Sequence, residues 1–482
     1  MTKTKKFRDH NPKQIMVLPP SLSDWLPADH PSYFVSEVVE GFDLSAIYGR
    51  YTELRGYPPY EPRMMVQVWL YGYMMGVRSS RKLERALHED VGFRVLSGNQ
   101  QPDHWTLSEF RRRHHVALGD LFEQTVKAAA DAGLVKLKHV SVDGTKVKAY
   151  ASKHRAMSYE RMLSEEKRAR EEIDRWFREV EANDRAEDKL YGKESGWRLP
   201  PHLATPEKRR EFIEKMRKDL EARTRTEAEK KAEPGPSGDP KPKGAKPKKV
   251  VKPGPKTQIN FTDPESRIMK SADKAFIQGY NAQAAVDAER HIIVASDLTN
   301  QASDSPHLPA MIEQVLANTG RHPEELSADA GYFSEANLKA LSDRGIEPFI
   351  PPEKVRHNQW RLQTSPRGPI PRNAGPRYLM SRKLRTKRGR ERYKLRQTSV
   401  EPVFGHIKEA MGFRQLPLRG LDKARSTWRF QCAAFNLMLP GLPGGKRDRP
   451  DPGLNPQPSP SARSAPISAA GLVVFGQPSI II

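Results

Sequence analysis

Two strand-like segments of this chain each lead into an aspartate, and their order along the chain limits the folds open to it. Alternating apolar residues in LKHVSVDG reach Asp143, and the short run ELSAD reaches Asp329. A period of two residues is the pattern of a half-buried strand. The carboxyl ends of parallel strands meet at one edge of a sheet, where ligands commonly bind. The two aspartates are therefore predicted to share one rim.

The segments around these strands complete a recognisable order. Two alternating runs in residues 278–300 flank a polar turn at 287–290, which predicts a β-hairpin. Residues 305–320 have apolar positions at helical spacing and end on Gly320, and 345–352 predicts another strand. Without the 150–277 insertion, the order is strand, hairpin, helix, strand, helix, strand and a later helix. This order predicts an α/β RNase H-like core, with a mixed sheet flanked by helices.

A helical region precedes this core. Residues 14–130 include EPRMMVQVWLYGYMMG, in which large apolar residues recur at helical spacing. They predict an all-helical N-terminal domain. The RNase H-like core is then expected to consist of residues 135–154 and 275–440.

Three further segments differ from both regions in composition. Residues 155–232 are dominated by Glu, Lys and Arg and predict a charged helical insertion. Residues 233–257 are rich in Pro, Gly and Lys, which predicts a flexible loop. The Pro-, Ser- and Gly-rich residues 441–482 predict a disordered tail.

The charge balance indicates a polyanionic partner. Lys and Arg total 82 against 59 acids, giving a net charge of +23. Such an excess favours nucleic acid, with an anionic membrane surface as the alternative. A mean hydropathy of −0.74 argues against a membrane span. The single Cys432 excludes an internal disulfide, and the polar, basic start MTKTKKFRDHNPKQ leads us to expect a reducing, intracellular setting.

The N-terminal region contains a candidate DNA-reading element. SSRKLERALHED (79–90) predicts a helix, and a second helix is expected to start at TLSE (106–109). Two short helices with a tight connection suit a helix-turn-helix, and the second carries Arg111, Arg112 and Arg113. The alternative is an ordinary helical bundle with a solvated basic face.

A third acid is needed if two divalent ions are to be held near Asp143 and Asp329, since hard cations prefer oxygen ligands. Glu401 is the best candidate, on a helix predicted to start near Thr398 because Pro402 follows. Lys408 lies seven residues further, on the same helical face. Mg²⁺ or Mn²⁺ in two sites would then support phosphodiester displacement. Asp143 would bridge both ions, and Asp329 and Glu401 would each complete one.

Each acid also has a structural interpretation. Asp143 precedes Gly144 and could form a turn, as could Asp329 at its strand end. TSVE (398–401) is itself a capping box. Three more acids compete as metal ligands. Asp287 belongs to the hairpin turn at the far end, and Asp304 before Ser-Pro suits a helix cap; the third is Asp297.

Three sequence blocks resemble those of bacterial DDE transposases, and most closely those of the insertion-sequence 1182 group. The blocks are VDGTKVKAYASKHRAMSY (142–159), SADAGYFS (327–334) and TSVEPVFGHIKEAMGFRQLPLRGLDKARSTW (398–428). Residues 33–114 are similar to the helical N-terminal domain usual there. The resemblance covers roughly residues 14 to 440, and the first and third blocks are its specific parts.

The resemblance implies that Asp143, Asp329 and Glu401 form the D-D-E triad. It also implies that Tyr393, Arg396 and Lys408 form the signature around the glutamate and contact the DNA end. That signature usually has three residues between its Arg and its Glu, whereas this chain has four. The role of Arg396 is therefore less firmly implied than that of Lys408.

The resemblance further implies double-stranded DNA as the partner, in the form of terminal inverted repeats and target DNA. It implies a homodimer or larger assembly on DNA, in the bacterial cytoplasm at the nucleoid, and no membrane partner. Two alternatives stay open from the sequence. One is a catalytically silent DNA-binding protein or decayed transposase, and the other is an RNase H-fold nuclease that cannot join strands.

Overall fold

The computed structural model describes residues 22–52, 56–152, 156–165, 206–232, 252–271, 275–353 and 368–439, with Asp9 and Ser365. Three sequence predictions lie wholly or partly outside the described residues. They concern the 166–205 part of the charged insertion, the 233–251 part of the flexible loop and the 441–482 tail.

Eight strands are present in the described part of the chain. They are β1 His139–Lys148, β2 Ala156–Ser158, β3 Gln258–Asn260, β4 Arg267–Lys270, β5 Phe276–Asp287, β6 Ile293–Thr299, β7 Glu325–Ala328 and β8 Glu347–Phe349. Six of them form one mixed sheet in which β1 lies between β5 and β7, with β8 beyond β7. β5 pairs antiparallel with β1, β4 and β6, whereas β1, β7 and β8 run parallel. This is the predicted RNase H-like arrangement.

The register of the central strands decides where the aspartates lie. The parallel pairing of β1 with β7 ends at Val142 and Ala328, one residue before Asp143 and Asp329. The prediction that Asp143 ends its strand is wrong, because β1 continues to Lys148 through antiparallel pairing with β5. Gly144 is therefore a strand residue opposite Gln283, and the turn interpretation of Asp143 is excluded.

Fourteen α-helices lie in the described part of the chain. They are α1 Pro31–Glu40, α2 Ser45–Tyr48, α3 Pro62–Met74, α4 Ser80–Glu89, α5 Val91–Leu96, α6 His104–Arg113, α7 His115–Asp131, α8 Tyr159–Glu165, α9 Pro206–Ala232, α10 Leu308–Thr319, α11 Glu335–Ser342, α12 Pro376–Leu384, α13 Lys387–Gly405 and α14 Leu421–Leu437. α10 ends as predicted on Gly320, whose φ of 76° is the left-handed conformation that glycine adopts at low cost. No helix among the described residues is long and apolar enough to cross a bilayer.

The N-terminal helices share a core with the sheet. α3 is apolar on every side and is almost wholly buried, as its sequence predicts. α7 packs along α14, which in turn packs on β6. One continuous apolar cluster therefore extends from Phe34 in α1 to Leu437 in α14.

The predicted helix pair of the N-terminal region differs from the structure. α5 lies between α4 and α6, so those two helices are not joined by a tight connection. α6 also begins earlier than TLSE, because the Asp103 carboxylate accepts a hydrogen bond from the Thr106 amide at 2.6 Å and caps the helix.

The insertion has a small core of its own at its base. β2 pairs antiparallel with β3, and this ribbon joins the two ends of the insertion. Apolar side chains of α8 and α9 pack against it, among them Met162 and Met216. The described part of the insertion is thus a folded unit and not merely a charged helix.

Candidate active site

Asp143 occupies the centre of the sheet, with 18% of its side chain exposed. Its Oδ1 accepts a hydrogen bond from the Gly144 amide at 2.8 Å. The pKa of Asp143 is raised to about 7, chiefly by burial. The nearby charges of Asp329 and Asp304 also act to raise it, whereas Arg396 acts to lower it. Such a carboxylate is a strong candidate for a cation ligand, because a bound cation would relieve the cost of burying its charge.

Asp329 follows β7 directly and points its carboxylate into the next turn. Its Oδ1 accepts from the Gly331 amide at 2.7 Å and caps the short 3₁₀ helix Ala330–Tyr332. The turn-forming interpretation of Asp329 therefore holds. A second role is compatible with this cap, because the capping hydrogen bond uses only Oδ1. The Asp329 carboxylate is also close enough to Asp143 to raise the pKa of that residue.

Glu401 lies on α13, which starts well before the predicted position. Thr386 caps this helix by accepting from the Gly389 amide at 3.0 Å, so TSVE lies inside the helix and is not a capping box. The Ser399 hydroxyl instead donates to the Leu395 carbonyl at 2.7 Å. The sequence motif was misleading because a serine or threonine inside a helix can satisfy itself on the preceding turn.

Pro402 sits in the interior of α13 and would leave the Thr398 carbonyl without its helical donor. The imidazole of His291, from the β5–β6 hairpin, supplies a replacement. Its Nε2 lies 2.9 Å from the Thr398 oxygen and donates to it. This hydrogen bond therefore links the helical turn that carries Glu401 to the β5–β6 hairpin.

Arg396 brings two of the predicted acids together. Its guanidinium donates to Asp143 Oδ2 at 2.7 Å and to Glu401 Oε1 at 2.9 Å. Glu401 consequently lies on the same side of the sheet as Asp143, although 44% of its side chain is exposed. Burial lowers the pKa of Arg396, but Asp143 and the neighbouring Tyr393 and Glu401 raise it more, so the net shift is upward.

The donor set fits a divalent cation in chemistry, since three carboxylates supply the hard oxygen ligands that Mg²⁺ or Mn²⁺ prefers. The arrangement is not yet that of a metal cage. Among the described residues no three acids, histidines or cysteines are close enough to hold an ion. The guanidinium of Arg396 lies between Asp143 and Glu401, and a cation shared by these two residues would have to replace it.

A buried polar chain connects α13 with the sheet beneath it. Ser399 Oγ lies 2.7 Å from Ser141 Oγ and accepts its hydrogen bond, and Ser141 Oγ lies 3.0 Å from Ser327 Oγ. His139 continues the chain from Ser327 to Glu325. These residues could not be predicted from the sequence, because serines inside apolar strands form no pattern of their own. Their effect is to fix the register of the helix that presents Arg396 and Glu401.

A groove of about 800 Å³ opens beside Asp329 and Glu401. Four arginines and two tyrosines line it, most of them from α12 and α13, together with the acids Asp329, Glu353 and Glu401. The arginines and tyrosines are Arg377, Arg385, Arg390, Arg396, Tyr378 and Tyr393. Burial raises the pKa of Tyr393, and its ring centre lies 6.0 Å from the Arg396 guanidinium carbon. A cationic, aromatic groove next to acids is suited to a phosphate backbone.

Residues 381–396 (SRKLRTKRGRERYKLR) form a strongly basic segment before Glu401, and part of it holds the fold together. Lys383 and Arg388 pair with Glu347 at 2.8 and 2.5 Å, and Arg392 pairs with Glu325 at 3.1 Å. These pairs hold α12 and α13 against the edge of the sheet.

The three arginines of α6 that were predicted to contact DNA differ in their exposure and in their partners. Arg111 is 9% exposed, donates to the Arg78 carbonyl at 2.8 Å and lies 4.5 Å from the Trp69 ring centre. Its buried position makes it a packing residue and removes it from the proposed DNA contacts. Arg112 is exposed and pairs with Glu109, and Arg113 donates to the Arg50 carbonyl.

Lys408 is half-buried and lies in a π-helical turn, His406–Ala410, that follows α13. The prediction that Glu401 and Lys408 share an α-helical face is therefore wrong, since the register changes between them. π-turns of this kind are frequent at functional sites.

The three other aspartates that were candidates for metal ligands have different surroundings in the structure. Asp287 is buried at the far hairpin and accepts from the Leu137 amide at 2.7 Å, which agrees with its predicted structural role. Asp297 pairs with Arg425 at 2.8 Å. The prediction that Asp304 caps a helix is wrong, because its side chain makes no capping hydrogen bond and lies instead near Asp143 and Asp329.

The strand order and the acids on the central strands define the class of RNase H-like proteins. Comparison with known families agrees: residues 20–113 match a family described as "Transposase domain", and residues 247–437 match one described as "Transposase DDE domain". The chain belongs to the DDE insertion-sequence transposases. The second match includes Asp329 and Glu401, whereas Asp143 precedes it. The curated proteins and the solved structures gave no match.

Members of this family are nucleic-acid-cutting enzymes that generally use divalent metal ions, and DNA is their partner. The helical N-terminal match and the DDE match together cover the two regions that share the core.

Proposed function

We propose that this chain binds the terminal inverted repeats of its own element, cuts the DNA at those ends and joins the 3′-hydroxyls to target DNA. The observation that carries the proposal is the link that Arg396 makes between Asp143 and Glu401, beside Asp329. Two acids from distant parts of the chain share one guanidinium, and the charge of the third acts on Asp143, which supports a common role for them. Asp329 and Glu401 also line the groove of about 800 Å³, whose four arginines are suited to phosphate groups.

The carboxylates of Asp143, Asp329 and Glu401 would hold two divalent ions, Mg²⁺ or Mn²⁺. When bound, such ions activate the attacking oxygen and stabilise the leaving 3′ oxygen of a phosphodiester. The chain's own contribution is to keep the three acids oriented. The Gly331 amide orients Asp329, the Gly144 amide orients Asp143, and the serine chain fixes α13.

The groove residues supply binding and orientation. Arg377 and Arg390 would neutralise phosphates of the element end, while Tyr378 and Tyr393 provide ring faces against which sugar or base can rest. Arg396 would turn from its two carboxylates to a backbone phosphate as DNA enters. The exposed Arg112 of α6 is a candidate contact further along the duplex.

The proposed reaction needs two element ends held together, and a homodimer or larger assembly on DNA would provide this. Size-exclusion chromatography with light scattering, with and without a DNA end, tests the assembly. If the protein remains a monomer when DNA ends are present at saturating concentration, the proposed assembly is contradicted.

One experiment separates the proposal from its alternatives. Purified protein is incubated with labelled element ends, an unlabelled target plasmid and Mg²⁺. The proposal predicts labelled ends joined to the plasmid. Nicked ends without joined product would indicate a hydrolytic nuclease, and bound but uncut DNA would indicate a silent DNA-binding protein.

A further inference from the structure

Asp304 packs against β1 and β5, on the face of the sheet opposite to the Asp143 side chain. Its Oδ1 accepts hydrogen bonds from Asn281 Nδ2 at 2.6 Å and from Gln283 Nε2 at 2.8 Å, and Lys146 Nζ lies at 3.4 Å. The two amide side chains come from β5 and are fully buried. A charged group with this many fixed donors is held in one place.

The position of Asp304 relative to two glycines is the decisive feature. A Cβ atom built on Gly144 would lie 2.8 Å from Asp304 Oδ1, and one built on Gly331 would lie 3.2 Å from Oδ2. The carboxylate therefore fits between the backbone next to Asp143 and the backbone whose amide binds Asp329. The same Cβ atoms would lie 2.5 Å from Gln283 Nε2 and 2.9 Å from Asp329 Oδ1, so a side chain at either position would crowd Asp304 together with the residues that it contacts or adjoins.

Because side chains alternate along a strand, Asp304 and Asp143 lie on opposite faces of the sheet. Side chains alternate along β1, so Gly144 and Lys146 face the opposite side of the sheet from Asp143. Asn281 and Gln283 are the strand partners of Lys146 and Gly144 and share their face. Asp304 thus contacts the catalytic segment through backbone, while α13 and Arg396 approach Asp143 from the other side.

The same cluster reaches the turn after Asp329. The Tyr332 hydroxyl donates to Gln283 Oε1, and Tyr332 is fully buried at the last position of the 3₁₀ helix that Asp329 caps. Asp304, Gln283 and Tyr332 therefore join β1, β5 and the Asp329 turn into one hydrogen-bonded unit.

We propose that Asp304 is a positioning residue of the active site, which sets the separation of Asp143 and Asp329 through Gly144 and Gly331. This inference rests on the proposed function, because the separation matters only if the two aspartates bind cations together. The residue does not touch the reacting atoms. Its loss would act on how well the site binds divalent ions, and through that on the cleavage rate.

The test uses the full-length protein with Asp304→Ala, Asp304→Asn and the control Asp297→Asn. Asp297 is an acid of the neighbouring strand β6 whose partner is Arg425, so it reports the general effect of removing a negative charge from this sheet. Three quantities are measured: Mn²⁺ affinity without DNA by titration calorimetry, DNA-end affinity in EDTA, and the single-turnover cleavage rate at saturating DNA.

Asp304→Ala is expected to weaken Mn²⁺ binding by roughly 10–100-fold, the range for residues that orient metal ligands. The cleavage rate should fall at low Mn²⁺ and recover in part at high Mn²⁺, while DNA affinity in EDTA stays within about twofold of wild type. Asp304→Asn keeps the size of the side chain and should show the same change to a smaller degree. It also serves as the folded variant if the alanine variant does not fold.

Unchanged Mn²⁺ affinity in a folded Asp304 variant would overturn the inference, as would an equal loss in Asp297→Asn. The result is distinguishable from a failure of the proposed function. If wild-type protein neither cuts nor joins element ends, the proposed function fails, while the Mn²⁺ affinities still decide the role of Asp304.

Discussion

Arg396 and Asp143 lie 253 residues apart in the chain, and their side chains meet at 2.7 Å. The same guanidinium binds Glu401, so one cation occupies the space between two of the three proposed catalytic acids. It partly offsets the burial and like-charge repulsion that raise the pKa of Asp143. The Arg396 guanidinium thus holds the carboxylates of Asp143 and Glu401 close together in the protein without metal ions or DNA.

Arg396→Gln is predicted to tighten Mn²⁺ binding to the DNA-free protein, because the guanidinium and the metal ion compete for the same carboxylates. The control is Arg392→Gln, one helical turn earlier, whose partner is Glu325. Titration calorimetry measures both variants. Weaker Mn²⁺ binding by Arg396→Gln alone would show that the arginine supports the metal site instead of competing for it.

His291→Ala is predicted to lower the free energy of unfolding by about 1 kcal/mol, the usual net value of one hydrogen bond. The Thr398 carbonyl would lose the donor that compensates for Pro402. Urea denaturation measures the change. The cleavage rate should fall as well, because the same turn carries Glu401.

A double-mutant cycle tests the compensation directly. Pro402→Ala restores a backbone donor for the Thr398 carbonyl, so His291→Ala should cost less in that background. Equal costs of His291→Ala with proline and with alanine at position 402 would mean that the imidazole does not replace the helical bond.

His114 is predicted to make the protein sensitive to acid. Burial lowers its pKa to about 4, and Arg113 and Arg50 contribute. The unfolded chain protonates this histidine near its ordinary value of about 6.5, so the folded state loses stability as the pH falls from 6.5 towards 4. The loss should reach roughly 2 kcal/mol by pH 5.

Urea denaturation at pH 7 and pH 5 checks this dependence, with His114→Phe as the test and His115→Phe, the neighbouring histidine, as the control. The His114→Phe variant should lose part of the pH dependence that wild type and the control retain. An unchanged pH dependence in both variants would assign the acid sensitivity to other groups.

Two neighbouring arginines of α6 are predicted to behave differently. Arg112→Gln should weaken DNA binding and reduce the slope of log K against log salt by about 0.9, the value for one phosphate contact. Arg111→Gln should instead lower stability, because the guanidinium packs on Trp69 and binds the Arg78 carbonyl. Fluorescence anisotropy at several salt concentrations and urea denaturation measure the two effects. A larger salt effect at Arg111 than at Arg112 would reverse the assignment.

The order of strands and helices along the chain could be predicted from the sequence because strand and helix periods are local properties. The β5–β6 hairpin and α10 follow from patterns that lie within a few residues of one another. The four-residue edge strand β4 is too short for its pattern to stand out, and it was missed.

The detailed arrangement of the site could not be predicted, because it depends on contacts between distant segments. TSVE has the form of a capping box, yet a cap at Thr386 starts the helix earlier and a histidine from the hairpin accommodates Pro402. Asp304 has the form of a helix cap, yet buried amides of β5 take its carboxylate. In both cases a tertiary contact outweighs the local pattern.

The central claim is that three distant carboxylates act as one catalytic unit. The most direct measurement is the single-turnover rate of element-end cleavage and joining by Asp143→Asn, Asp329→Asn and Glu401→Gln, at saturating DNA and Mg²⁺. Each variant should bind the labelled end as wild type does and lose at least about a thousandfold in rate, equivalent to roughly 4 kcal/mol. Joining at the wild-type rate by any one of the three would contradict the assignment of that residue and the unit as a whole.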